Sequence, residues 1–206
     1  VDPGIAPAFE PVLDFWFGPS AALDPATTAK AKEALWWGGD AAADRDIGSR
    51  FGDLRLRAIS GALPDWTRTP RGRLAAIILV DQFSRSIHRG TIAAFSSDPV
   101  ARNLCNDGLD RGDDRALAPL ERVFFYLPLE HSESMPDQER SVRHYEQLED
   151  AVPAELRPLF ASYSDFARRH REVIQRFGRF PHRNKILGRP STPAEAEFLT
   201  QPGSSF

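Results

Sequence analysis

Cysteine is almost absent from the chain: Cys105 stands alone in 206 residues. An intrachain disulfide is therefore excluded, which suits a reducing compartment. No apolar run reaches the roughly 18 residues that a helix needs to span a bilayer. The greasy stretch LAAIILV at 74–80 is far shorter and is flanked by Arg71, Arg73 and Asp81. The first residues, VDPGIAPAFE, lack an initiator Met and the basic start and apolar centre of a signal peptide. The expected location is cytoplasmic, with no membrane partner. A Walker A loop, a GxGxxG after a strand and a GxSxG elbow are all missing, so no nucleotide cofactor and no hydrolase elbow is implied. Strand-like alternation bounded by hairpin turns is missing too.

What is present reads as helix nearly throughout. The hydrophobic share of 41% and charged share of 27% are ordinary for a globular protein, and the length fits one domain, 1–206, with a core that needs no metal. PVLDFWF at 11–17 predicts a short helix ended by Gly18-Pro19. Asp24-Pro25 starts a second, running to Trp36-Trp37, by the pairing of a capping acid with proline at the first helical position. A third spans about Asp44 to Ser60, and a fourth opens at Pro70. Asp98-Pro99 starts a fifth that runs to about Gly108. The sixth, LAPLERVFFYL, meets Pro128 and is expected to kink or end there. Ser134 and Asp137 read as a capping box for a seventh. The eighth is the longest, about Ala154 to Phe177, with Gly178 as its stop. Thr192 to Glu195 is a second capping box, for a short last helix. The fold class is all-α, with about eight to nine helices.

Charge is unevenly placed. Residues 168–189 carry eight cations against Glu172 alone, an excess of +7 in a chain of net charge −3, leaving −10 elsewhere. The stretch RFGRFPHRNKILGR at 176–189 packs Arg176, Arg179, Arg183, Lys185 and Arg189 around Pro181. Guanidinium forks suit phosphates and carboxylates. The same arginines can pair with acidic surfaces of the same molecule or with exposed helix carbonyls. Aromatics interleaved with arginines also occur in nucleic-acid binders. An acidic chain without a nucleic-acid fold signature argues against that partner.

Polar residues also sit on stripes that are otherwise apolar. Leu74, Ile77, Ile78, Asp81, Arg85 and His88 share one face of the fourth helix. Asp81 and Arg85, four apart, either form a structural ion pair or line a pocket in which Asp81 positions Arg85 for an anion. The eighth helix carries Tyr163 and His170 on its inward stripe with Leu159, Phe160, Ala167 and Ile174. His170 is either a satisfied core residue or an acid or base. Glu130, His131 and Glu133 cluster just past Pro128. They suit proton transfer, or are polarity at a helix end; their spacing fits no established metal motif. Cys105 lies in a plain helical pattern and is not a reactive thiol.

Taken together, VLDFWFG (12–18), DQFSRSIHRGT (81–91), FFYLPLEHSE (124–133), DQERSV (137–142) and RFGRFPHRN (176–184) with LGR and ST resemble a bacterial family known as domain of unknown function 924. The resemblance covers nearly the whole chain. It implies an all-α fold similar to tetratricopeptide-repeat superhelices, a right-handed helical array, and no assigned activity. Family motif positions match at Asp81, Gln82, Arg85, Arg89, Glu130, His131, Glu133, Arg176, Arg179, His182, Arg183 and Asn184. The chain departs at Ser86 and His88, where the family more often has asparagine and an apolar residue, which discounts His88.

Two functions are expected from different classes. One is a helical groove that binds a small anionic ligand and can act on it. Its ligand-binding set is Asp81, Arg85, Arg89, Glu130, Arg179, His182, Arg183 and Asn184. Its acid–base candidates are His131, His170 and Glu133, with no metal. The other is an interaction module that offers a concave face, with Trp16, Trp36, Trp37 and Trp66 as anchors, to a peptide or protein partner.

Overall fold

The computed structural model describes residues 8–19 and 24–204. Most of the VDPGIAPAFE start and the final two residues lie outside this range. Among the described residues the chain is all-α, with no strand. The helices are α1 (Glu10–Phe17), α2 (Pro25–Trp37), α3 (Ala41–Ile59), α4 (Pro70–Val80), α5 (Gln82–Ile87), α6 (Asp98–Arg111), α7 (Pro119–Glu130), α8 (Met135–Ala151), α9 (Arg157–Phe177) and α10 (Pro193–Phe198). Short 3-10 turns join some of them, including Pro181–Arg183 after α9. No described helix is long and apolar enough to cross a membrane.

Local chemistry accounts for many helix ends. Asp24 accepts a hydrogen bond from the Thr27 amide at 2.8 Å, and Pro25 fills the first helical position. Thr192 and Glu195 form the expected reciprocal capping box. Gly178 ends α9 with φ +70°, a left-handed conformation that glycine adopts without strain.

Two expectations are corrected. The Ser134 side chain makes no cap bond, and the Asp137 carboxylate accepts instead from the Ser132 hydroxyl at 2.7 Å, so the box does not form. Gly108 does not stop α6. It sits where the helix crosses α4 and α7, and a Cβ there would lie 2.5 Å from both Arg73 Cδ and Phe125 Cζ. α7 runs two residues past Pro128 and ends at Glu130. The fourth-helix stripe is also divided, with α4 and α5 meeting at Asp81.

α4 is the centre of the molecule. Every residue from Gly72 to Val80 is buried, as its apolar character on all sides requires. It packs on α1, α3, α6 and α7, while α7 and α9 flank α8. Trp16, Phe83, Phe124 and Trp36 form a ring cluster, with Trp36 and Phe124 centroids 4.7 Å apart. The Trp36 indole N–H donates to the Trp16 carbonyl at 3.0 Å. This side chain fastens α2 to α1 and α7. A smaller cluster of Val173, Ile174 and Phe180 anchors the arginine-rich loop below α9.

The end of α7 is fixed from α8. The buried Gln138 amide donates to the carbonyls of Glu130 and Ser132, each at 2.7 Å. Those carbonyls have lost their helical partners, and leaving them dry and unpaired is costly. Gln138→Leu is expected to destabilise the fold by about 1–3 kcal/mol, read as a lowered urea midpoint. An unchanged midpoint would show that this amide does not hold the α7 terminus.

Candidate functional site

Residues from four separate segments meet at the α7 terminus. Asp81, at the α4–α5 junction, is almost completely buried (1% exposed). One turn on, Arg85 donates to its Oδ1 at 2.9 Å, so the ion pair expected from the i,i+4 spacing is present. Arg85 also forks onto both oxygens of Asp98, at 3.0 and 3.1 Å. Gln82 donates to the other Asp81 oxygen. From fifty residues away, the His131 ring places Nδ1 2.8 Å from Asp81 Oδ1. Arg183 closes the back of the cluster. It donates to the His131 carbonyl at 3.1 Å, lies 3.6 Å from Asp98 and stacks on the rings of Phe180 and Phe95.

Charges and protons follow from this geometry. Burial alone would keep Asp81 protonated; the Arg85 charge, then His131 and Gln82, outweigh it and hold the carboxyl well below the usual carboxylate range. A carboxylate only accepts, so His131 Nδ1 carries the proton that faces it. Burial and the Arg85 charge lower the His131 pKa despite Asp81, so the ring is neutral at pH 7. In that tautomer the other nitrogen, Nε2, carries a lone pair and is a base. No hydrogen bond among the described residues occupies it.

His131 forms part of the floor of a cavity of about 560 Å³ between α2, α7, α8 and α9. This lies in the ordinary range for small-molecule sites. Its walls are mostly apolar, from Ala29, Trp37, Val123, Leu127, Leu159 and Phe166. Lys30 and Glu33, both exposed, stand on the α2 side. The polar floor holds Glu130, His131, Tyr145 and His170. His170 Nδ1 donates to the Phe166 carbonyl at 2.9 Å and lies 3.3 Å from Glu130 Oε1. Burial, followed by the nearby His131 and Arg183, pushes the His170 pKa down to about 3 against that hydrogen bond. Burial pushes Glu130 up to about 8, against a hydrogen bond from Tyr145.

The expected site residues thus fall into two groups. Asp81, Arg85, Glu130, His131, His170 and Arg183 come together around this floor. The rest serve the neighbouring loop or lie apart. Glu133 accepts from Arg189 at 2.6 and 2.9 Å and from the Phe180 amide at 2.8 Å, clamping the loop. Asn184 accepts from Arg189 and donates to Ser191. Arg179 forks onto Glu195, whose pKa it draws down to about 2. Half-buried His182 packs 5.6 Å from the Phe180 ring. Arg89 pairs with Asp44 on the exposed surface. Asp81 meets Arg85 as expected and, in addition, hydrogen-bonds the His131 ring. Tyr145, Asp98 and the α2 wall were not anticipated. Tyr145 alone had a signal, its spacing with Val142 and Leu148 on the inner face of α8. Among the described residues, no cluster of three or more His, Cys, Asp or Glu could hold a metal ion.

The sequence model for a bacterial protein of unknown function (DUF924) matches residues 12–203. The chain belongs to this family. The structure of a protein of unknown function, ATU0120 from Agrobacterium tumefaciens, is similar at 35% identity and a TM-score of 0.76, covering 93% of this chain and 96% of that one. No curated protein matches. The family therefore supplies the fold and leaves the chemistry to be read from the site.

Burial of Glu130 sets a pH dependence. Its carboxyl titrates near 4.5 in the unfolded chain and near 8 in the fold. Between these values the native state keeps a proton that the unfolded chain has released, so stability falls as pH rises. Glu130→Gln removes this drift. Relative to wild type the variant should gain stability from about pH 5 to pH 8 and level off above, as measured by urea unfolding at several pH values. A difference that stays constant with pH would contradict a neutral, buried Glu130.

Proposed function

We propose that the cavity between α2, α7, α8 and α9 binds a small, largely apolar molecule and that His131 acts on it as a general base. One observation carries this reading. Asp81 grips one nitrogen of a half-buried imidazole at 2.8 Å, and the ring lines an apolar cavity of about 560 Å³. A base oriented by a third group is the arrangement that proton abstraction requires. Asp81 is a positioning residue. The arginines behind it keep its charge fixed and buried.

The expectation of an anionic ligand has less support. Arg85, Arg179, Arg183 and Arg189 all make ion pairs within the chain, and none of them lines the cavity. An anion would have to open one of these pairs. A peptide partner is favoured by a single feature, the half-exposed Trp37 and Phe166 on the cavity walls, at 51% and 47% exposure.

A thermal-shift comparison tests the reading. The probes are four uncharged compounds (indole, benzyl alcohol, cyclohexanone and phenylacetone) and three anions (phosphate, sulfate and citrate). Ala29→Trp brings a bulky ring into the cavity from the α2 wall. At a hundredfold excess over Kd, a bound probe stabilises the fold by about 2.7 kcal/mol. At least one uncharged probe should raise the Tm of wild type and not of Ala29→Trp. Stabilisation by the anions alone, equal in both proteins, would reject the apolar cavity as the site.

A further inference from the structure

We infer that Glu130 is the acid partner of His131, and that the cavity takes an uncharged carbonyl compound bearing a hydrogen on the adjacent carbon and interconverts its keto and enol forms. This rests on the reading of His131 as base and extends it to a second catalytic residue and a substrate class.

The argument begins with what Glu130 lacks. Its side chain is 6% exposed, and no arginine or lysine pairs with it. Asp81, Asp98, Asp113 and Glu133, by contrast, each have an arginine within 4 Å. A buried carboxylate without a cation takes up a proton rather than stay charged. Its neighbours cannot substitute for the missing cation. The His170 Nδ1 proton is directed at the Phe166 carbonyl, 2.9 Å away. The Tyr145 hydroxyl, which lies 2.8 Å from the Val123 carbonyl and also hydrogen-bonds Glu130, brings no positive charge. Glu130 thus presents an O–H donor at the cavity floor, which His131 also lines. Adjacent in sequence at the end of α7, the two are an acid and a base facing the same space.

Charge defines the ligand. Behind the floor, Arg85 and Arg183 balance Asp81 and Asp98, two charges of each sign. On the floor itself, Glu130, His131, His170 and Tyr145 are neutral at pH 7. A formal charge buried there would have no counter-ion. Among the described residues, the further charges on the cavity walls are Lys30 and Glu33, of opposite sign and exposed on α2. The buried end of the ligand is therefore polar and uncharged, and the remainder apolar.

The step balances without any co-reactant. His131 Nε2 takes the α-proton. The C–H electron pair becomes the C=C bond, the carbonyl π pair moves to oxygen, and that oxygen takes the Glu130 proton. The reverse step returns both protons. Such a paired acid and base contributes on the order of 10²–10⁴-fold each.

The test uses the whole chain in D₂O with phenylacetone, cyclohexanone or 2-heptanone, and with phenylacetate as a charged control. Loss of the α-hydrogen signal is followed by proton NMR after subtraction of the buffer rate. Wild type should exchange at least one ketone. Glu130→Gln should slow that exchange about a hundredfold while still binding the ketone in a thermal shift. The wild-type rate should fall above about pH 8, where Glu130 loses its proton, and the residual rate of the variant should not. His131→Ala should exchange nothing. If His131→Ala is inactive and Glu130→Gln matches wild type, the acid assignment fails and the base assignment stands. If ketones bind but none exchanges, the keto–enol assignment fails and the cavity reading stands. If no ketone binds, both fall. Phenylacetate binding as tightly as phenylacetone would overturn the argument from charge.

Discussion

The whole site depends on one buried carboxylate. Asp81 lies at the junction of the two helices that form the centre of the molecule. Its charge persists there only because Arg85, Gln82 and His131 all face it. Removing Arg85 would leave an uncompensated charge in a dry environment, a loss of about 3–5 kcal/mol for a broken buried pair. The consequence for His131 is direct. Its ring cannot rotate or change tautomer without breaking a hydrogen bond to a buried anion. A side chain at a helix terminus, where mobility is usual, is thereby held in one orientation.

The cavity is a result of how α2 is attached. Trp36 and Lys32 pin this helix to α1 through the Trp16 and Phe15 carbonyls, and the Trp36 ring packs on Phe124 of α7. Its opposite face, with Ala26, Ala29, Lys30, Glu33 and Trp37, is left standing away from α9. Small residues on that face keep the space open. The floor comes from three other helices, and their packing excludes water from Glu130 and His170. The same desolvation that makes Glu130 hard to ionise makes both histidines hard to protonate. An acid and a base in complementary states at neutral pH therefore follow from burial rather than from any special partner.

Much of the fold was legible because helix signals are local. Asp24-Pro25, Gly178 and the Thr192 box each act within four residues, and each behaves as its chemistry predicts. Features that depend on distant neighbours were misread. Gly108 looks like a stop until α4 and α7 are placed against it. The Ser134 box looks complete until Ser132 takes Asp137. The site was legible in part for the same reason. The Asp81–Arg85 pair follows from i,i+4 spacing, His170 stood out on an apolar stripe, and Glu130 and His131 stood out as a cluster just past Pro128. The bond from Asp81 to His131 joins residues fifty apart, and no periodicity reports it. The arginine-rich loop looked like an anion site because its partners, Glu133 and Glu195, belong to other segments. Once those acids and Asp98 are in place, three of its five cations are paired within the chain.

The central claim is the protonation state of His131 in the resting protein. Nitrogen-15 NMR of the histidine rings, with His131→Gln used for assignment, measures it directly. The account predicts a neutral ring at pH 7 with its proton on Nδ1 and an unprotonated Nε2, titrating below the ordinary histidine pKa. Asp81→Asn should release the tautomer preference. A His131 ring protonated on both nitrogens at pH 7, or carrying its single proton on Nε2, would contradict it.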